Sequence, residues 1–313
     1  MADPRPRSHL GAVALALAVT FLWSSSWVLI RWGLDDEGLR PVSFAAIRYA
    51  LAAILLLAWA AAVPRHRRGL RGLRGRLLLR LVVLGVVLYA LTQGAMFVAL
   101  DHQPAATTSL VLALTPLLVA GLSSVSLGEA PRAYQLAGAG LVAVGAWAFF
   151  SGDLGATAIG MAAAAVGLAA NTGSSLLGRA VNRGGEAEPL VVTAVSMTVG
   201  AALLVATGLT VEGMPSVSAR GWLIVAWLAV ANTALAFTWW NLSLRRLSAV
   251  ESAVINTSMP AQIAALAWVF LDEPLGAGEV LGVILVTGGV LLASVGGAAL
   301  ARRAARGARP AAR

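Results

Sequence analysis

Inside long apolar stretches of this chain, a small set of side chains can do more than pack. Arg48, Gln93, Asn171, Ser174, Asn232, Asn256 and Gln262 are polar, and Trp23, Trp27, Tyr89, Met96 and Trp239 stand near them at helical spacing. Residues three or four apart share a helix face. Trp23 and Trp27 therefore share a face with Thr20, Tyr89 with Gln93 and Met96, and Asn171 with Ser174. Asn232 and Trp239 lie two turns apart on one face.

The chemistry these groups offer is recognition. Tryptophan gives a flat apolar surface with one donor and attracts cations to its face. A mid-span amide needs a partner, and for Gln93 a neighbouring helix serves as well as a ligand. Met96 adapts to varied ligand shapes or fills core. Arg48 lies seven residues after Pro41, about 10 Å along a helix. It either holds a carboxylate or phosphate or snorkels to the surface. Pro116 and Pro260 each remove a backbone donor, which frees the carbonyls of Leu112 and Asn256. These paired bends are expected to flank a cavity and to gate it.

Bond-making chemistry finds no support. There is no cysteine, and the three histidines His9, His66 and His102 are too scattered for a metal site. No P-loop, G-x-S-x-G elbow or H-E-x-x-H motif occurs. Neither a cofactor nor a metal is expected, and no catalytic residue is assigned. Most of the 14 acidic residues fall in gaps or at the ends of apolar runs. The one worth testing as a proton site is Glu251, and an ion pair with Arg245 or Arg246 is its competing role.

The elements that position these groups follow from composition. Of 313 residues, 59% are hydrophobic and 12% are charged, and the mean hydropathy is +0.82. A soluble domain carries about 25% charge, so an ordinary soluble enzyme is excluded. Ten apolar runs are long enough to span a bilayer as helices, at about 11–30, 42–63, 78–98, 105–127, 133–150, 156–178, 190–209, 221–243, 249–270 and 278–298. The first continues through Trp27 to Ile30, too long for a signal peptide. The runs do not alternate, which excludes a membrane β-barrel.

Arginine placement sets the topology. Of the 23 basic residues, all but Arg31, Arg40, Arg48 and Arg220 fall at one end of the ten-span arrangement. By the positive-inside rule that end is cytoplasmic and holds both termini. The arginines at 65–80 join two spans, so anionic lipid headgroups are their expected partner rather than nucleic acid.

The chain also resembles itself at an offset of 144 residues (260 minus 116). Pro116 meets Pro260, Glu129 meets Glu273, Gly138 meets Gly282 and Gly145 meets Gly289. Five spans per half is an odd number, so the halves are expected to be inverted, with a substrate site between them. The expected division is 1–152 and 153–313, the second half ending in a basic cytoplasmic tail. The Gly278/Gly282 pair suits close packing or, alternatively, a homodimer through the fifth and tenth spans.

Leu127-Gly128-Glu129, followed by Gln135, Gly138, Leu141-Val142 and Gly145, resembles the end of an EamA domain. Leu271-Asp272-Glu273-Pro274, Glu279, Gly282, Leu285-Val286 and Gly289 repeat the pattern. Leu22-Trp23-Ser24-Ser25-Ser26, Pro41 and Arg48 are similar to the domain's opening. The resemblance covers nearly the whole chain as two units. It implies the drug/metabolite transporter superfamily, with ten helices, cytoplasmic termini and export of small metabolites. Gly167 stands where the first half has Trp23, so the halves are not chemically equivalent.

The expectation is therefore an all-α membrane protein of ten transmembrane helices in two inverted five-helix repeats. Its expected role is secondary transport, with export of small organic metabolites such as amino acids or amphipathic amines by alternating access. It is expected in the plasma membrane of a prokaryote. The alternatives are a membrane-embedded enzyme acting on a hydrophobic substrate, and a channel or non-transporting receptor.

Overall fold

Backbone groups in an apolar environment must pair within their own segment, which selects helices. The ends of the helices carry the usual chain signals. Ser8, Thr157 and Ser218 cap three helices by accepting from the backbone N–H groups of Gly11, Gly160 and Gly221 at 3.0, 3.0 and 2.9 Å. Pro41, Pro64 and Pro189 each open a helix in its first turn. Gly128, with φ of 65°, closes one in the left-handed conformation.

The structure is a computed structural model. It describes residues 8–103, 108, 111–112, 114–149, 156–213, 215–256, 258–270, 277–278, 280–289 and 292–293. Among these every regular element is helical. In chain order they are α1 (His9–Asp35), α2 (Pro41–Ala62), α3 (Pro64–Gly72), and α4, a rod made of Gly75–Gly85, Val86–Leu91 and Thr92–His102. There follow α5 (Thr115–Leu127), α6 (Ala133–Phe149), α7 (Ala158–Arg183) and α8 (Pro189–Val211). The rod α9 joins Ala219–Trp227, Leu228–Leu235 and Ala236–Ser243. After it come α10 (Ala249–Asn256), α11 (Met259–Phe270) and α12 (Val280–Gly289).

Six helices are long and apolar enough to cross a membrane: His9–Ile30, Val42–Ala62, Gly75–Met96, Ala158–Arg183, Pro189–Val211 and Ala219–Ser243. They match six of the expected spans. Shorter apolar helices occupy the places of the remaining four. Ile54, Leu79, Trp147, Leu223 and Trp227 present their side chains on the outside, as a lipid-facing surface requires. The protein is therefore a multi-pass helical membrane protein.

The 65–80 arginine segment is not the plain connection expected. Pro64 starts α3, which buries no residue and carries Arg65, Arg67, Arg68 and Arg71. The next span begins at Gly75, before the apolar run does, because arginine is a good helix former and extends the rod.

Glycines fix how closely the helices approach. A Cβ on Gly138 would sit 2.6 Å from the carbonyl oxygen of Gly289, and a Cβ on Gly289 would sit 2.6 Å from that of Gly138. Gly145 likewise faces Leu285 and the Gly282 carbonyl, at 2.8 and 3.0 Å. Residue 138 thus meets 289 while 145 meets 282, so α6 and α12 run antiparallel. The glycines matched at the 144-residue offset pack against each other within one chain, and a homodimer through these helices would have to use their other faces.

The same antiparallel relation joins α2 and α8. Gly208, late in α8, lies beside Ser43 and Ala46, early in α2. Glu212 accepts from the N–H groups of Val42 and Ser43 at 3.1 and 2.7 Å. The larger buried clusters lie where α2, α4, α8 and α9 meet and where α1, α5, α6, α10 and α12 meet.

This packing makes a prediction. Gly138→Leu should destabilise the fold by roughly 1–3 kcal/mol through overpacking. Gly140→Ala, where an added Cβ meets nothing within 4 Å, should leave stability nearly unchanged. Thermal melting of the two variants in detergent is the check.

Candidate functional site

Two rods leave the α-helical pattern at matching places. Val86–Leu91 in α4 and Leu228–Leu235 in α9 are π-helical, and the 144-residue offset carries 86–91 onto 230–235. A π turn widens the helix and is rare away from functional positions. The Thr92 hydroxyl donates to the Val87 carbonyl at 2.8 Å and helps satisfy the first turn. The first turn carries Tyr89, and the second carries Asn232 and Thr233.

Adjacent residues of α2 bridge the two turns. Arg48 is buried. Its Nε donates to Thr233 Oγ1 at 2.7 Å, its Nη2 reaches the Asn232 carbonyl at 3.5 Å, and its guanidinium lies 5.4 Å from the centre of the Tyr49 ring. The Tyr49 ring meets that of Tyr89 edge-on at 5.5 Å. Phe237 completes the layer, 4.8 Å from Trp23, 5.1 Å from Tyr89 and 6.3 Å from Tyr49. Trp240 lies 5.2 Å from Trp23.

Polar atoms in this layer are left over. Asn232 Nδ2 donates to the Leu22 carbonyl and to Ser25 Oγ, whereas its Oδ1 is buried without a hydrogen bond. Trp23 Nε1 is also buried without a partner. An unpaired buried polar atom costs about 1–3 kcal/mol, so two of them on facing helices, α1 and α9, need a reason.

The proline positions show a different use of polar groups. The chain breaks before Pro116, and α5 starts at Thr115. The freed Leu112 carbonyl accepts from Thr115 Oγ1 at 2.6 Å, and Asn171 Nδ2 on α7 donates to that hydroxyl at 3.1 Å. The second proline also sits at a break, between α10 and α11. There Ser258 Oγ donates to the Ile255 carbonyl at 2.6 Å, and Gln262 Nε2 donates to Ser258 Oγ and to Thr20 Oγ1 on α1, both at 3.0 Å. Ser24 Oγ donates to Gln262 Oε1 at 3.1 Å. Each break is stitched by a helix from the other half.

Of the residues expected at a site, Trp23 and Tyr89 come together on Phe237, and Arg48 and Asn232 meet at the π turn of α9. Asn171 and Gln262 stand at the stitched breaks, with their amides engaged. Ser174 donates to its own helix, to the Asn171 carbonyl at 2.9 Å. Asn256 ends α10 at the second break with a buried, unpaired Oδ1. Gln93 and Met96 lie half-buried along α4 beyond Tyr89. Trp239 is half-buried, and its neighbours Phe237 and Trp240 make the ring contacts instead. The side chains of Trp27 and Pro260 lie outside the described residues. Tyr49 and Thr233 were not expected at the site. Thr233 could have been found from the repeat, since the offset places it on Tyr89. A groove of about 300 Å³ between α4 and α7, lined by Ala90, Gly94, Val98 and Ala163 among others, brings no hydrogen-bonding side chain. No group of three or more His, Asp or Glu residues that could hold a metal occurs among the described residues.

A helical bundle crossing the membrane, with a buried polar and aromatic layer between its helices, suits a membrane transporter. The chain belongs to the EamA-like transporter family, which matches residues 10–151 and again 158–295. The family marks a transporter and not an enzyme. A relative from Streptantibioticus cattleyicolor, a probable terminal-alkyne amino-acid exporter, is 28% identical over 298 residues, covering 88% of this chain and 94% of the relative. A crystal structure of a protein 23% identical in sequence shares the fold with a TM-score of 0.73, covering 91% of this chain and 97% of the other.

Charged groups tie the helices at the arginine-rich end. Glu129 pairs with Arg179 at 2.8 Å and Arg183 at 3.4 Å, and it accepts from the Ala249 N–H at 3.3 Å. Glu251 is held by His9 Nε2 at 3.0 Å and by the Ser248 N–H at 2.9 Å, and its own N–H donates to Ser248 Oγ. This is a capping box on α10, with His9 as a partner the sequence reading did not name. Glu188 pairs with Arg65 at 2.6 Å. Burial raises its pKa, but the hydrogen bond and charge of Arg65, with the charges of Arg245 and His66, outweigh burial and hold it below the usual carboxylate value.

An acid with a lowered folded pKa stabilises the fold above its unfolded value and loses that contribution as pH falls through the folded value. Glu188→Gln should therefore lower the melting temperature at neutral pH. It should also remove part of the stability that the wild type loses below the ordinary value of 4.5. Melting curves from pH 7 downward compare the two.

Proposed function

We propose that this protein is a secondary transporter that exports small organic metabolites, of the amino-acid or amphipathic-amine kind, from the cytoplasm of a prokaryote. Transport runs by alternating access between two inverted five-helix halves, which together supply ten spans. The observation that carries this reading is the layer at the two π turns, where buried unpaired polar atoms of Asn232 and Trp23 stand with packed aromatic side chains. Groups left unpaired in a closed protein suit a ligand that pairs them. The antiparallel contacts of α6 with α12 and of α2 with α8 support inverted halves. The relative named as a probable terminal-alkyne amino-acid exporter supports the substrate class.

The arginine-rich end is the cytoplasmic one in this reading, and both termini lie there. A reporter fused after Arg313 should be active in the cytoplasm, and one inserted near Asp153 should be exposed outside. Reversed signals would refute the orientation.

Among the described residues the layer holds no Asp, Glu or His, the groups with which proton-driven carriers build a relay within the membrane. Glu251 is engaged by His9 and Ser248. Export then runs down the substrate's own gradient or by exchange. The protein in liposomes loaded with unlabelled amino acids or amines should accumulate labelled substrate by counterflow, and collapsing a pH gradient should change the initial rate less than about twofold. Absence of counterflow across the panel would reject the carrier reading. A flux lost both with the gradient and in Glu251→Gln would make Glu251 the proton site.

A further inference from the structure

Arg48 is a cation at 8% exposure inside the bundle, and no carboxylate pairs with it among the described residues. Its partners are neutral: the Thr233 hydroxyl, the Asn232 carbonyl and the Tyr49 ring. A guanidinium has five N–H donors, and two are placed here. A charge kept in the membrane at that cost marks a functional position by default.

The residue that accepts from Arg48 through its carbonyl also holds a buried acceptor with nothing to accept. Both donors of the Asn232 amide are directed at α1, and its Oδ1 is unpaired. One cation wanting an anion and one oxygen wanting a donor thus lie at the same π turn. A phosphate dianion would not be neutralised by one guanidinium and would meet the Asn232 oxygen as a second acceptor. A carboxylate matches the guanidinium fork, and an ammonium matches the oxygen.

We propose that Arg48 and Asn232 form a headgroup subsite for an α-amino acid, the guanidinium taking the carboxylate and Asn232 Oδ1 the ammonium. The proposal rests on the export reading above and names the groups that select its substrate. Trp23 follows Leu22, whose carbonyl Asn232 holds, and with Phe237 against it offers an apolar wall for the side chain. Asn232 has no exposed surface, so the subsite is shut in this conformation and opens only when α1 and α9 part.

The test uses two matched sets of probes on the full chain: L-phenylalanine, phenethylamine and 3-phenylpropanoate, and L-leucine, isoamylamine and 4-methylpentanoate. Thermal shift and counterflow are read for each. Wild type should respond most strongly to an amino acid. Arg48→Gln should need about tenfold or more of the amino acid and of the carboxylate for the same response, while the amine changes less than about twofold. Arg48→Lys should recover part of the loss. Asn232→Asp, which adds a negative charge at the π turn that Arg48 holds, should also lose both carboxylate-bearing probes and keep the amine. It serves if Arg48→Gln fails to fold by ligand-free melting. Equal loss of all probes in a folded variant, or an unchanged amino-acid response, overturns the subsite. A wild type that responds to the amines alone overturns it as well and leaves the export reading standing. A wild type that responds to none of the probes rejects the export reading itself.

Discussion

The constraint on which the rest of this structure depends is that no peptide group can go unpaired in hydrocarbon. A continuous α-helix meets it automatically. Every departure from one must be repaired by a side chain, and here the repairs come largely from helices of the other half. The Leu112 carbonyl is satisfied by Thr115, which is in turn held by Asn171 from α7. The break between α10 and α11 is held by Gln262 with Thr20 and Ser24 from α1. The π turn of α9 is held by Arg48 from α2. The irregular backbone and the polar contacts between halves are therefore the same places.

Close packing sets the distance over which such repairs can work. An amide or hydroxyl reaches only about 3 Å to its partner, so the helices carrying them must touch. Gly85 faces the Ser196 carbonyl, Gly200 faces the Tyr89 side chain, and Gly138 and Gly289 face each other, with no room for a Cβ in any case. The first two contacts press α4 onto α8 at the π turn that carries Tyr89. That approach seats Tyr89 deep in the bundle, with no exposed surface.

The spans were legible because a continuous apolar run about 20 residues long has few other solutions. The two breaks were legible from Pro116 and Pro260, since proline cannot continue the hydrogen-bond ladder. Arg48 and Asn232 stood out as polar groups in apolar runs. The π turns left no such mark: Val86–Leu91 and Leu228–Leu235 contain neither proline nor glycine, and an inserted residue in a helix changes no composition. Tyr49 gave no signal, because an aromatic in an apolar run is core by default. Asn171 and Gln262 read as binding groups because their partners lie far away in sequence, where no local pattern can point to them.

In the alternating access proposed above, magnitudes decide which contacts yield. The buried amide and hydroxyl stitches near the breaks are worth about 1 kcal/mol each, and losing one leaves a polar group orphaned at up to about 3 kcal/mol. Solvent-exposed ion pairs are worth less than about 1 kcal/mol. Motion should therefore spare the stitches at the two breaks and part the exposed ties at the ends. Each end mixes sheltered and screened ties. At the arginine-rich end, Arg179 and Glu129 are joined with side-chain exposures of 13% and 20%, and Arg80 and Glu186 with 40% and 54%. At the opposite end Arg220 meets Asp36 at 60% and 44%, and also Glu37, which is only 10% exposed. Solvent screens the exposed pairs far more than the sheltered ones, so in the proposed alternating access the sheltered carboxylates Glu129 and Glu37 are the last ties to part at their two ends.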